Sequence, residues 1–251
     1  SIGFSLFRMA ILSEPTTEAG DIGSDRDRIE QNLRAVQERI SKAAERSGRS
    51  PGDVLVVTVS KTWPAEIVQV AVDAGALTLG ENRVQEAQDK IPQIQGSPAW
   101  HLIGHLQRNK AKLAVSLFDT IQSVDSVRLA REIGKHAVNA GKELSIHLQV
   151  NTSGEASKSG VKPADLEELV DGVVGIDGVR VEGLMTIATH SDDGAAVRQC
   201  FVTLRDLRDR VVQIEPGVCH LSMGMSGDFE MAIEEGATVV RVGSAVFGNR
   251  T

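Results

Sequence analysis

The amino-acid sequence predicts an α/β protein: a single parallel (β/α)8 barrel preceded by one extra N-terminal helix. Three observations carry this. Short apolar, β-branched runs alternate eight times with amphipathic stretches over about 225 residues, the size of such a barrel. The first of these runs, residues 54–60, is apolar at successive rather than alternate positions, as a strand buried on both faces must be. No G-x-G-x-x-G follows an early strand; the turn there is Ser60-Lys61-Thr62-Trp63-Pro64, which disfavours the rival open sheet that binds dinucleotides.

The elements follow in order. From Asp25 onward, Ile29, Leu33, Val36 and Ile40 recur among charged residues at helical spacing, which defines one apolar face ending near Arg46 to Gly48. Pro51-Gly52-Asp53 turns the chain into the first strand. A helix is expected over residues 65–74, a strand over 76–79, and a helix over 84–91 that Pro92 stops. Strands over 100–103 and 120–124 alternate with helices over 108–115 and 127–140. The fifth strand, 144–150, precedes a helix over 163–174 with proline in its first turn, where a missing N–H costs nothing. A strand over 179–184 and a long helix over 195–213 come next, then a strand over 219–222, a helix over 229–235 and a last strand over 238–242. The final helix is expected to be short or missing.

Composition narrows the function. The 251 residues are 41% hydrophobic and 24% charged, the make-up of a folded globule and not of a collagenous or low-complexity chain. A chain this long buries roughly three quarters of its unfolded surface and needs no staples. Its two cysteines, Cys200 and Cys219, have no metal-ligand spacing, and a reducing cytoplasm is the expected compartment. The net charge of −7, from 34 acidic and 27 basic side chains, argues against nucleic acid as the main partner. No apolar run reaches the roughly eighteen residues of a membrane span, so no membrane partner is expected. Residues 1–24 read as a flexible extension without a signal-cleavage site. The chain starts with Ser and its first methionine is Met9, compatible with a processing or expression remnant.

In a (β/α)8 barrel the chemistry sits at the carboxyl ends of the strands. Lys61 ends the first apolar strand, so its amine is expected to project into the barrel mouth and serve as a carbonyl nucleophile; the alternative is a lysine that reaches solvent or pairs with Glu81. Strand two delivers Gly80, Glu81, Asn82 and Arg83, and strand four Ser123 and Asp125. Strand five delivers Asn151 and Ser153, and strand six Met185 and Thr186. Ser222-Met223-Gly224-Met225-Ser226-Gly227-Asp228 stands before a helix, and Arg241-Val242-Gly243-Ser244 follows the next strand. Backbone N–H groups and hydroxyls from these two segments would converge on a phosphate, in the place where barrels most often bind one; either segment alone is equally well an ordinary turn. His101 reads as structural, and His105 as facing the mouth or capping a helix. Residues 151–160 form a solvated loop or a lid, and Cys219 reads as buried packing.

Six motifs together make the chain resemble the pyridoxal phosphate homeostasis proteins, relatives of the barrel domain of alanine racemase, from about Arg28 to Gly248. They are Val59-Ser60-Lys61-Thr62, Gly80-Glu81-Asn82-Arg83-Val84-Gln85-Glu86, the run from Trp100 through His105 to Lys110, Gly183-Leu184-Met185, Leu221 to Ser226 with Asp228, and Arg241 to Gly248. The resemblance implies that residues 25–251 form a TIM-barrel domain binding pyridoxal 5′-phosphate (PLP). In it Lys61 would form the internal aldimine, Asn82 would lie against the ring, Met225 would line the pocket, Ser226, Gly243 and Ser244 would hold the phosphate, and Arg241 would face the pyridine nitrogen. An arginine there favours an unprotonated ring and a weak electron sink.

Racemisation needs two bases, of which alanine racemases take one from a tyrosine; this sequence has no tyrosine and ends at Thr251, just after the last strand. With the resemblance, this implies a non-catalytic binder and carrier of PLP, acting in vitamin B6 homeostasis with apo PLP enzymes as partners; a monomer is expected because no exposed heptad or long apolar edge stands out. The alternatives are a low-activity PLP-dependent racemase or lyase using Lys61 and His105, and a cofactor-free Schiff-base aldolase acting on a sugar phosphate. Two positions bear on transfer. Trp63 stands where many members carry a second lysine, and Lys158 matches a lysine of the family's loop after the fifth strand.

Overall fold

A computed structural model describes residues 19–248. Eight parallel strands close on themselves in sequence order. They are β1 (Leu55–Val59), β2 (Thr78–Glu81), β3 (Ala99–Leu102), β4 (Thr120–Val124), β5 (Leu144–Gln149), β6 (Val179–Met185), β7 (His220–Met225) and β8 (Val239–Val242). Closure comes from β1 pairing with β8, Leu55 against Val239 through Thr58 against Val242, which leaves no free sheet edge.

The helices are α1 (Ala19–Arg46), α2 (Ala65–Asp73), α3 (Val84–Lys90), α4 (Ala111–Leu117), α5 (Val127–Asn139), α6 (Leu166–Val173), α7 (Gly194–Val211), α8 (Phe229–Glu234) and α9 (Ser244–Phe247). Local chemistry sets several of their starts. The Ser126 hydroxyl accepts from the Leu129 N–H at the head of α5, and the Asp193 carboxylate accepts from Ala195 N–H at 2.9 Å at the head of α7. Pro163 opens a short 3-10 turn before α6, so the helix proper starts three residues later than the proline indicates.

α1 is the extra helix. Its apolar face, Ile29, Leu33, Val36, Ile40, Ala43 and Ala44, is buried against α2, α8 and α9. Each large side chain so buried contributes about 1.5–3 kcal/mol. Polar contacts fix its direction: Arg39 lies 4.4 Å over the Phe229 ring and pairs with Glu230 at 2.8 Å, while Asn32 donates to the Val246 carbonyl at 2.8 Å. The helix starts at Ala19, inside the stretch expected to be an extension; residues 1–18 of that stretch lie outside the described residues.

Two strands depart from expectation by more than one residue. β2 starts at Thr78, because the Ala76 N–H closes the end of α2 on the Ala71 carbonyl at 2.9 Å and Leu77 is exposed; the strand instead continues through Gly80 and Glu81. β7 runs on to Met225 across a register irregularity against β8. Gly224 permits this. Its φ is +94°, and a Cβ there would lie 2.6 Å from Ala232 Cβ and 2.9 Å from Phe229 Cα on α8, so no other residue fits.

Candidate functional site

The carboxyl ends of the strands surround a cavity of about 940 Å3, and Lys61, Asn82, Met225, Ser226, Arg241, Gly243 and Ser244 all line it. Sequence positions almost two hundred residues apart thus meet because the barrel delivers every strand end to one rim. Two glycines allow the close approach. A Cβ on Gly104 would fall 2.2 Å from the Asn82 carbonyl oxygen, and one on Gly243 would fall 3.3 Å from the Val59 carbonyl oxygen.

Lys61 sits on the turn after β1, with an exposed side chain on the cavity wall. The neighbouring Trp63 lines the same wall and stacks on Phe247, ring centroids 5.5 Å apart. The turn is strained: Thr62 has φ of +64°, a left-handed conformation that costs a β-branched residue about 1–3 kcal/mol.

Across the cavity, the segments after β7 and β8 are tied into one rim. The Ser226 hydroxyl oxygen accepts from the Gly243 N–H at 3.1 Å and the Ala245 N–H at 3.2 Å, which leaves its own proton to be directed at a ligand. Asp228 accepts from the Met225 N–H at 2.5 Å. Burial pushes the Asp228 carboxyl up, against the Met225 N–H bond and the Arg241 charge.

Arg241, 4% exposed, forms part of the floor. Its guanidinium donates to the Ser222 hydroxyl and to the Thr186 carbonyl, both at 2.7 Å. Burial pushes it down to about 10, with Asp228 opposing, so it stays cationic at neutral pH. Ser222 donates to Gln122 Oε1 at 2.6 Å, and the Gln122 amide reaches His101 Nδ1 at 2.8 Å. His101 is thus structural, as expected.

Several residues fall elsewhere than the sequence indicated. Glu81 does not pair with Lys61. It is fully buried and bound through Oε1 by Lys90 Nζ at 2.6 Å and the Ser60 hydroxyl at 2.7 Å, because its place in β2 alternates with Gly80 and Asn82. Burial pushes its carboxyl up, against the Lys90 contact. Cys219 is exposed, not packed, because β7 begins one residue after it. Ser123 donates to the Gly104 carbonyl at 2.7 Å, Thr186 to the Val150 carbonyl at 2.8 Å, and Met185 is buried; none of the three lines the cavity.

His105 and Lys158 do line it. Lys158 Nζ is held by Glu155 at 2.8 Å and the Ala188 carbonyl at 2.7 Å. Gln149 holds the Ser159 carbonyl at 3.2 Å, and Val161 bridges back to Val150. The 151–160 segment is therefore a tethered loop that walls the cavity. Gln149, Ile103 and His190 line the site without having been singled out; Gln149 had a signal, a polar side chain closing an apolar strand.

The donor set has a definite chemistry. A primary amine on one wall suits a carbonyl carbon, the Ser226–Ser244 rim suits an anion, and a buried guanidinium suits an acceptor on a ring or carboxylate between them. Pyridoxal 5′-phosphate carries those three features, and the residues present fit it.

Comparisons with known proteins place the family. Residues 24–251 match the family described as alanine racemase, N-terminal domain. The pyridoxal phosphate homeostasis protein of Aquifex aeolicus is 43% identical over 223 residues, which are 88% of this chain and 97% of that protein. The structure of PipY from Synechococcus elongatus PCC7942 with PLP bound superposes with a TM-score of 0.76 at 36% identity, covering 88% of this chain and 100% of that one. Alanine racemase of Clostridium difficile 630 shares the fold, with a TM-score of 0.70 at 15% identity over 89% of this chain and 56% of that one. The chain belongs to the alanine racemase N-terminal domain family and, within it, to the pyridoxal phosphate homeostasis proteins.

Proposed function

We propose that this protein binds pyridoxal 5′-phosphate in the barrel-mouth cavity and acts in intracellular PLP homeostasis as a carrier without catalysis. The observation that carries this reading is the convergence of Lys61, the Ser226–Ser244 rim and Arg241 on one cavity.

When bound, the cofactor supplies an aldehyde that condenses with amines and a pyridine ring that withdraws electrons. Lys61 would hold the aldehyde end of the cofactor through Nζ as a Schiff base, with water as the leaving group. The Ser226 hydroxyl and Ser244 would hold the phosphate, with Gly243 allowing its close approach. Asn82 would lie against the ring and Met225 would line the pocket. Arg241 would face the pyridine nitrogen as a cationic donor, and its bonds to Ser222 and Thr186 fix its orientation. A guanidinium cannot pass a proton to the ring as a carboxylic acid does, so carbanion chemistry is weakly supported. The absence of tyrosine from the 251 residues removes the side chain that serves as the second base in alanine racemases. Two free thiols, Cys200 and Cys219, fit a reducing cytoplasm. Apo PLP enzymes are the recipients, and the carrier works as a monomer.

The test is the visible spectrum of the purified protein after addition of PLP, before and after borohydride, with Lys61→Ala alongside. A yellow band that borohydride removes, leaving a pyridoxyl group on Lys61 and no band in the variant, is the expected result. No band, or a band unaffected by Lys61→Ala, overturns the assignment. Lys61-dependent turnover of an amino acid well above that of free PLP would make the protein a racemase or lyase instead.

A further inference from the structure

Beneath the Lys61 turn lies a buried ionic cluster that the binding reading does not use. Lys90, 5% exposed, comes from the last turn of α3. Its ammonium donates to the Ser60 carbonyl at 2.8 Å, to Glu81 Oε1 at 2.6 Å and to Glu86 Oε1 at 2.9 Å. Three acceptors satisfy all three of its protons. Glu86 Oε1 also accepts the backbone N–H of Thr62, and Ser60 is bound a second time through its hydroxyl to Glu81 at 2.7 Å. The residues on both sides of Lys61 are therefore fastened to α3 and β2, while Lys61 itself is not.

This arrangement is costly in two ways. Thr62 is held at φ of +64°, and Glu81 Oε2 is buried with no hydrogen-bond partner. Strain of this kind persists only where the surroundings over-determine it, and it clusters at sites where geometry serves function. A buried ammonium with two carboxylates is also a poor choice for stability alone. The return on both costs is direction: the left-handed residue turns the chain sharply just after Lys61, and the bonds to Ser60 O and Thr62 N–H stop the turn from relaxing.

We propose that Glu86 and Lys90, seated on Glu81, are positioning residues that hold the Ser60–Trp63 turn so that Lys61 Nζ is presented to the carbonyl of the ligand. The inference rests on the Lys61 reading above. It deepens that reading by separating covalent capture from the grip on the phosphate, which lies across the cavity on other strands.

The experiment compares two ligands on the full chain. Pyridoxal 5′-phosphate reports Schiff-base formation by stopped-flow absorbance; pyridoxine 5′-phosphate, which lacks the aldehyde, reports the non-covalent grip by calorimetry. Glu86→Ala and Lys90→Met are expected to slow Schiff-base formation by about tenfold or more, since a misplacement of one ångström costs as much as a hundredfold. Their affinity for pyridoxine 5′-phosphate stays near the wild-type value. Glu86→Gln, which keeps an acceptor for Thr62 N–H, recovers most of the rate. Should Lys90→Met not fold, the Glu86→Ala and Glu86→Gln pair decides alone.

Wild-type rates in the folded variants would overturn the proposal, as would equal losses for both ligands. No band in the wild type would overturn the Lys61 assignment and the positioning role together; a normal wild-type band with unaffected variants would overturn the positioning role alone.

Discussion

Arg241 donates to the Ser222 hydroxyl at 2.7 Å deep inside the barrel, and that one bond sets the polarity of a chain of groups. A guanidinium has only donors, so Ser222 must spend its proton on Gln122 Oε1 at 2.6 Å. Gln122 then turns its amide nitrogen to His101 Nδ1 at 2.8 Å, which leaves the His101 proton on Nε2. Ser222→Ala leaves an Arg241 N–H and the Gln122 carbonyl unpaired, and is expected to cost about 1–3 kcal/mol in urea unfolding. A loss below about 0.5 kcal/mol, the scale of an indifferent surface change, would mean the chain is not coupled as described.

Gly104 packs against the backbone of Asn82, with a Cβ position only 2.2 Å from the Asn82 carbonyl oxygen and 2.7 Å from its Cα. Backbone cannot swing aside as a side-chain tip does. Gly104→Ala should destabilise by about 1–3 kcal/mol and weaken PLP binding by displacing Asn82 from the cavity wall. Gly227→Ala, with nothing within 4 Å of its Cβ, is the stability control; equal thermal shifts for the two would refute the contact.

Acid should unfold this barrel through its interior histidines. Burial pushes His147 down to about 3, helped by His101, His220 and Arg241, and pushes His101 down to about 4, opposed by Asp119 and Glu182. The unfolded chain takes up protons near pH 6.5 that the native barrel refuses until much lower pH. Stability is therefore full above about pH 6.5 and falls as pH drops toward 4, by on the order of 3 kcal/mol for His101 alone. His101→Asn should flatten the profile of melting temperature against pH in that window; an unchanged slope would assign the loss to other groups.

Trp63 gives the site its own reporter. Of the two tryptophans, Trp63 lines the cavity while Trp100 is buried in β3. Added PLP should quench the emission, and Trp63→Phe should remove most of that quenching while leaving the yellow band. Quenching that survives in Trp63→Phe would place the ligand nearer Trp100.

The order and type of every barrel strand were legible in the sequence because an apolar run of four to seven residues between turn signals is a local pattern. Strand-end placement put the seven cavity residues among the candidates, but it equally nominated Glu81, Ser123, Met185 and Thr186, which do not line the cavity; the family resemblance selected the seven. Local patterns misplaced β2, where Leu77 imitates a strand residue and Gly80 and Glu81 do not resemble one.

The sequence by itself determined the barrel, its count of strands and which end carries Lys61, Ser226 and Arg241. Only the tertiary structure decided the partners of the buried charges. Glu81 and Lys90 are nine residues apart on different elements, and nothing in their spacing says that one ammonium will bind Glu81, Glu86 and the Ser60 carbonyl together. The same holds for Arg241, Ser222, Gln122 and His101, contributed by four strands to one interior. The physical reason is common to both: periodicity records which face of an element is apolar, whereas the pairing of polar groups within a dry core depends on the register and packing of elements distant in the chain.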